Sequence, residues 1–218
     1  MYQPFMKYLK ETWLGKSQNN LRELDLGLTE WVGFSPKLDL RGLKFGRLQI
    51  LRLTGITFIH QWQVDWICSH SPTLHTLSLE ECAIIVQATT SMAIDHESYP
   101  IEDQVLGGAP SVLTFHLRWS DIYEQFRTRL PNLRVFEQST VLVRSHSEPK
   151  IGKVVGCTTN RYLTYEMGIF RRNDHVAFQV DEEWNSDTFA YDRLQDTLQC
   201  RVSGRARMSR KALRERRG

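Results

Sequence analysis

The sequence predicts an α/β fold: a leucine-rich-repeat-like solenoid with short parallel strands on one side and returning helices or loops on the other. Three observations predict it. Leu21–Leu26, Leu48–Leu53 and Leu74–Leu79 each read L-x-x-L-x-L, and they start 27 and 26 residues apart. The third continues through Cys82 and Ile84 as L-x-x-L-x-L-x-x-C-x-I, the full repeat formula, at a spacing such repeats use. Between the second and third, His60–His70 reads as a helix carrying Trp62, Val64, Trp66 and Ile67.

Each element follows from its pattern. Phe5, Leu9 and Trp13 recur at i, i+4, i+8 after Pro4 and before Gly15. That spacing predicts an amphipathic helix over 4–14, capping the open end of the stack. In each motif the later leucines (Leu24 and Leu26, Leu51 and Leu53, Leu77 and Leu79) share one face of a strand and point into the core. Ser71-Pro72 stops the helix, because the residue before proline is pushed out of the α region. Residues 48–84 therefore form a β–α–β unit with parallel strands. Residues 87–110 are polar, contain Gly107-Gly108 and two prolines, and read as a long insertion. A strand is expected at Val112–Leu117 and a helix at Asp121–Leu130, ended by Pro131. Leu133-x-x-Phe136 is a degraded strand motif that Val141–Val143 extends. Arg161–Phe170 and Val176–Val180 suit two further strands, and Asp192–Cys200 a closing helix. One domain spans 1–203, and residues 204–218 read as a basic, disordered tail.

The charge supports that division. The 218 residues carry a formal +3, but 205–218 alone hold seven basic residues and one acid. The rest of the chain, with 21 basic and 24 acidic residues, is net −3, which disfavours a basic nucleic-acid-binding globule. Nucleic acid is expected as a partner only through 205–218. The longest aliphatic run, Ala83–Val86, is far short of the roughly 20 residues of a membrane-spanning helix, so no membrane association is expected. Cys68, Cys82, Cys157 and Cys200 include no C-x-x-C pair. Reduced thiols and an intracellular location, cytoplasmic or nuclear, follow as the expectation.

Catalytic patterns are not found. The sequence has no G-x-S-x-G, H-E-x-x-H or G-x-x-x-x-G-K-[ST]. The seven histidines are scattered, and His70 and His75 flank Pro72. Asp95-His96-Glu97 sits in the polar insertion and reads as a solvated loop; His60 stands at a helix start as a structural residue. No enzyme activity, cofactor or metal is expected.

Several segments together resemble fungal F-box proteins, and more narrowly their C-terminal leucine-rich-repeat-like region. They are Pro36-Lys37-Leu38-Asp39-Leu40-Arg41-Gly42-Leu43, Leu48–Leu53, the W-Q-V-D-W-I-C-S-H-S block of Trp62–Ser71, and Leu74–Cys82. Arg118-Trp119, Ile122-Tyr123, Phe126 and Leu130-Pro131-Asn132-Leu133-Arg134 are similar to that family's "RW…F…LPxLR" segment. The resemblance implies a substrate receptor of an SCF-type ubiquitin ligase, whose repeats hold the target while an F-box docks the Skp adaptor and cullin. Only twenty residues precede Leu21, too few for an F-box. The adaptor and cullin are therefore expected as partners only if an F-box lies upstream.

The expected function is non-catalytic protein recognition, with an unidentified protein as target. A repeat scaffold unrelated to ubiquitin, or a nucleic-acid-associated protein acting through its tail, are the alternatives. Candidate contact residues lie between the core-facing leucines: Glu23, Asp25, Ile50, Arg52, Thr76, Ser78, Val135 and Glu137. Adjacent strands stand about 4.8 Å apart, which sets Asp25, Arg52 and Ser78 in one row.

Overall fold

A computed structural model describes residues 8–143, 151–155, 162–172 and 180–215. The strands are β1 (Glu23–Val32), β2 (Ile50–Phe58), β3 (Thr76–Glu80), β4 (Ala83–Thr90), β5 (Met92–Ile94), β6 (Pro100–Val105), β7 (Ser111–Thr114), β8 (Val135–Val143), β9 (Ile151–Val155), β10 (Tyr162–Glu166) and β11 (Ile169–Arg172). The longer helices are α1 (Gln61–Cys68), α2 (Trp119–Arg129) and α3 (Val180–Glu215), and short helical turns cover Leu9–Leu14 and Gly15–Ser17.

The three leucine motifs lie on adjacent parallel strands. Leu24 pairs with Leu51, Leu51 with Leu77, and Leu77 with Phe136 of β8. α1 connects β2 to β3, as the spacing predicts, and its Val64, Trp66 and Ile67 join Leu51, Leu53, Leu77 and Leu79 in the main core. α2 adds Trp119, Ile122, Tyr123 and Phe126, and α3 adds Tyr191, Leu194 and Leu198. Fully burying one such leucine contributes roughly 2–3 kcal/mol.

A leucine-rich-repeat-like solenoid does not form. In a solenoid each strand lies beside its predecessor and successor. Here nine strands curl into a half-barrel, ordered β11-β10-β4-β2-β3-β8-β9, with β1 also on β2 and β7 also on β4. The pairings β4–β7, β8–β9 and β10–β11 are antiparallel, and β5 and β6 form a separate antiparallel sheet.

The reason lies beyond each motif. β2 runs on past Leu53, and β3 and β4 continue along it in one register: Ile50 pairs with Thr76, and Thr57 with Ala83. Both paths bend at left-handed residues, Gly55 (φ 71°) and Glu81 (φ 51°), and β1 loses register between Gly27 and Val32. A crease thus crosses three strands, and beyond it the sheet turns into a second half around β4. There β4 is buried on both faces: Ile84 and Val86 face the main core, while Ala83, Ile85 and Ala88 join Phe34, Tyr99, Phe115, Leu163 and Tyr165 in a second one. A run buried on two faces carries no polar alternation to mark it as a strand. The expected insertion at 87–110 is accordingly the rest of β4 together with β5 and β6.

At the N-terminus, Leu9 and Leu14 are buried and Trp13 is 66% exposed. The turn is π-helical and closes with Gly15 N–H on Lys10 O, so residues five apart share a face, not four. Residues 4–7 of the expected helix lie outside the described residues, as do 173–179 and with them most of the expected strand at Val176–Val180. The expected Asp192–Cys200 helix is the middle of α3, and the domain boundary placed at 203 falls inside it.

Candidate functional site

The pairing register assembles the eight candidate residues into two rows on the sheet face opposite the main core. Glu23, Ile50, Thr76 and Val135 form the first; Asp25, Arg52, Ser78 and Glu137 form the second. Glu23, Asp25 and Glu137 are exposed, Ile50, Arg52 and Thr76 partly so, and Val135 is 42% exposed. Ser78 is only 9% exposed, so the face dips between Arg52 and Glu137. A third row escaped the sequence reading: Gly27, Thr54, Glu80 and Ser139. Its signal was one further step of the same period-two alternation along each strand.

Electrostatics centre on Arg52. Its guanidinium forms a salt bridge with Glu23. Its pKa is raised above the usual guanidinium value, first by that hydrogen bond and then by the charges of Asp25 and Glu137. One arginine thus stands among three carboxylates. With Glu80 in the next row, the face carries an excess of negative charge.

A second polar cluster joins the 37–41 loop to the β5–β6 turn. Arg41 grips Glu97 through Nη1 at 2.5 Å and Nη2 at 2.8 Å, and also pairs with Asp39. Lys37 Nζ donates to Glu97 at 2.9 Å and to Asp95 at 3.0 Å. Hydrogen bonds from Arg41, then Lys37, hold the Glu97 carboxyl down at about 2. The cations also stack on aromatic rings, Arg41 4.5 Å from the Trp62 centroid and Lys37 4.1 Å from that of Tyr99. Asp95 and Glu97 are therefore paired clamp residues rather than a solvated loop. About 60 positions separate them from their partners, and no local pattern announces such a contact.

Several other reactive side chains are engaged in structure. Gln63 Oε1 accepts the amides of Ile59 and His60 at 2.8 and 3.0 Å, closing the start of α1, while His60 Nε2 meets Glu97 O at 2.7 Å. His70 is 1% exposed. Its Nε2 accepts the Phe45 amide at 3.2 Å, and burial holds its pKa below the usual value. Cys82 donates to Leu53 O at 3.4 Å where the strand creases, and burial pushes its thiol up to about 12. Burial likewise pushes Cys68 up to about 11. Trp66 is buried and donates to Leu43 O at 2.9 Å, a packing role. Among the described residues, no group of three or more His, Cys, Asp or Glu side chains gathers as a metal site.

Comparison with protein-family models, with curated proteins and with solved structures finds no match in any of the three.

Proposed function

We propose that the chain is a non-catalytic protein-recognition module whose partner surface is the open face of β1, β2, β3 and β8. The observation that carries this reading is the register. Eight side chains of mixed chemistry, drawn from four strands, lie in two parallel rows on the side of the sheet away from the main core into which α1, α2 and α3 pack. Such a surface offers charge, hydroxyl and apolar groups at fixed spacing, which suits the reading of another protein. The engagement of His60, His70, Cys68 and Cys82 in structure supports a non-catalytic role.

The resemblance of several segments to fungal F-box proteins supports a narrower form of the proposal. In it the face holds a substrate for ubiquitin transfer, and an F-box supplied upstream engages the Skp adaptor and cullin. An intracellular setting belongs to the same proposal and is supported by the free thiols of Cys68, Cys82 and Cys200. Among the described residues no helix is long and apolar enough to cross a membrane.

The test is capture by the immobilised full chain, compared with Arg52→Glu and Thr76→Arg. Both positions are partly exposed, so the fold tolerates the changes, which circular dichroism verifies. A partner held by the natural chain and lost by both variants supports the reading. Equal capture by all three, with the fold intact, removes this face from consideration. A captured complex that never contains the adaptor or cullin, even with an F-box fused upstream, removes the ubiquitin part alone.

A further inference from the structure

We propose that the open face receives an extended basic segment of a partner protein, laid across the strands, with Lys or Arg at positions i and i+4 and a small or acidic residue at i+2. This rests on the reading of the face as the partner surface and adds the partner's chemistry.

The row Asp25, Arg52, Ser78, Glu137 sets the spacing. Its outer members are carboxylates on β1 and β8, three strand spacings or about 14 Å apart. An extended segment advances about 3.3 Å per residue, so side chains at i and i+4 on one side of it stand about 13 Å apart. The two spacings match, and the intervening residue i+2 lies between Arg52 and Ser78. Arg52 repels a cation there and attracts an acid, while the low Ser78 leaves room for a small side chain.

Asp25 and Glu137 also differ from the protein's other acidic clusters. Asp39, Asp95 and Glu97 are all taken up in salt bridges, and Glu23 is taken by Arg52. Asp25 and Glu137 form no hydrogen bond or salt bridge with the described residues, and the charge of each raises the Arg52 pKa. A second observation comes from the neighbouring row. Ser139 lies two residues beyond Glu137 and so faces the same side of β8. It is 2% exposed, and among the described residues its Oγ has no hydrogen-bond partner. Buried hydroxyls without partners are uncommon; a segment lying along these rows covers this end of the face and meets the hydroxyl only if the buried side chain turns outward. The net charge of −3 over residues 1–204 favours the approach of a cationic partner.

The experiment measures fluorescence anisotropy of labelled peptides with the full chain. The probe is Gly-Thr-Lys-Thr-Asp-Thr-Lys-Thr-Gly. Its controls are the charge-reversed peptide (Glu, Arg, Glu at the same places) and a peptide with the lysines three apart. The probe is expected to bind, with affinity falling as salt rises. Asp25→Asn and Glu137→Gln should each weaken it by about 5-fold or more, as for charge pairs across an interface. No binding, or binding unchanged in Asp25→Asn and Glu137→Gln, overturns the basic segment. If instead the charge-reversed peptide binds and Arg52→Glu abolishes it, the face reading stands and this proposal falls. If no peptide binds and face variants leave partner capture unchanged, both fall. Self-association of the chain that Arg207→Glu with Lys211→Glu abolishes would make a second copy the occupant and also overturn the proposal.

Discussion

Asp187 and Arg201 stand fourteen residues apart on α3 and hold the two ends of α2. Asp187 Oδ1 accepts the Ser120 amide at 2.7 Å. Its Oδ2 accepts the Tyr162 hydroxyl at 2.7 Å, and that hydroxyl accepts the Trp119 amide at 3.0 Å. Arg201 donates to the carbonyls of Arg127 and Leu130 at 2.7 Å and of Leu133 at 3.3 Å. An acid thus meets the amino end of the helix and a base its carboxyl end, each opposite in sign to the helix dipole there. α2 has no side-chain cap of its own at Arg118.

Replacing Asp187 with Ala strands the Ser120 amide and the Tyr162 hydroxyl in a site that is 1% exposed. A loss of about 2–4 kcal/mol in urea unfolding is expected. Arg201→Ala should cost about 1–2 kcal/mol, because Arg201 is itself partly exposed and water can take its place on the freed carbonyls. Equal, negligible losses at both positions would deny the bracket any role.

The Glu97 clamp sets an acid limit. Its carboxyl titrates at about 2 in the folded chain against an ordinary 4.5. The unfolded chain therefore binds the extra proton first as pH falls. The clamp's stabilisation is full above pH 4.5 and drains away as pH falls through about 2. Glu97→Gln should cost about 1–2 kcal/mol at neutral pH and flatten stability in that window. Unfolding midpoints measured from pH 7 to pH 2.5 check it.

Gly33 adopts φ +123°, and a Cβ there would stand 2.3 Å from Thr57 O. The same place carries the buried Thr57, whose hydroxyl accepts the Phe34 amide at 2.9 Å and donates to Val32 O at 3.0 Å. Gly33→Ala should cost roughly 3 kcal/mol or more, by backbone strain and by the shift forced on β2. Thermal unfolding of the variant gives the answer.

Thiol reactivity should divide sharply. Cys200 is exposed, whereas Cys68 and Cys82 are buried. With thiols pushed up to about 11 and about 12, the latter pair form almost no thiolate at neutral pH. Iodoacetamide mapped by mass spectrometry should modify Cys200 within minutes and the other two only after denaturation. Prompt labelling of Cys82 would contradict its place in the core.

Leucine alternation made β1, β2 and β3 legible, and with them both rows of the candidate face. Their pairing is set by one local rule repeated at near-constant spacing. The crease was not legible, since Glu81 in a left-handed conformation has no sequence mark as plain as a glycine. Nor was β4, where Ile84 and Ile85 serve opposite cores. The Arg41–Glu97 and Asp187–Ser120 contacts join residues 56 and 67 apart, and only the completed tertiary fold brings such distant groups together.

The seating of β10 on β4, Tyr162 to Glu166 against Ile84 to Thr89, fixes when the molecule can be finished. A ribosome releases the chain from the amino end, so β4 emerges long before its neighbour exists. Until the last quarter of the chain is made, β4 presents an unpaired edge and α2 lacks both of its brackets. Throughout that interval the nascent chain is a substrate for holding chaperones and a hazard for its own neighbours on the polysome. A premature stop before Tyr162 would leave that state permanent.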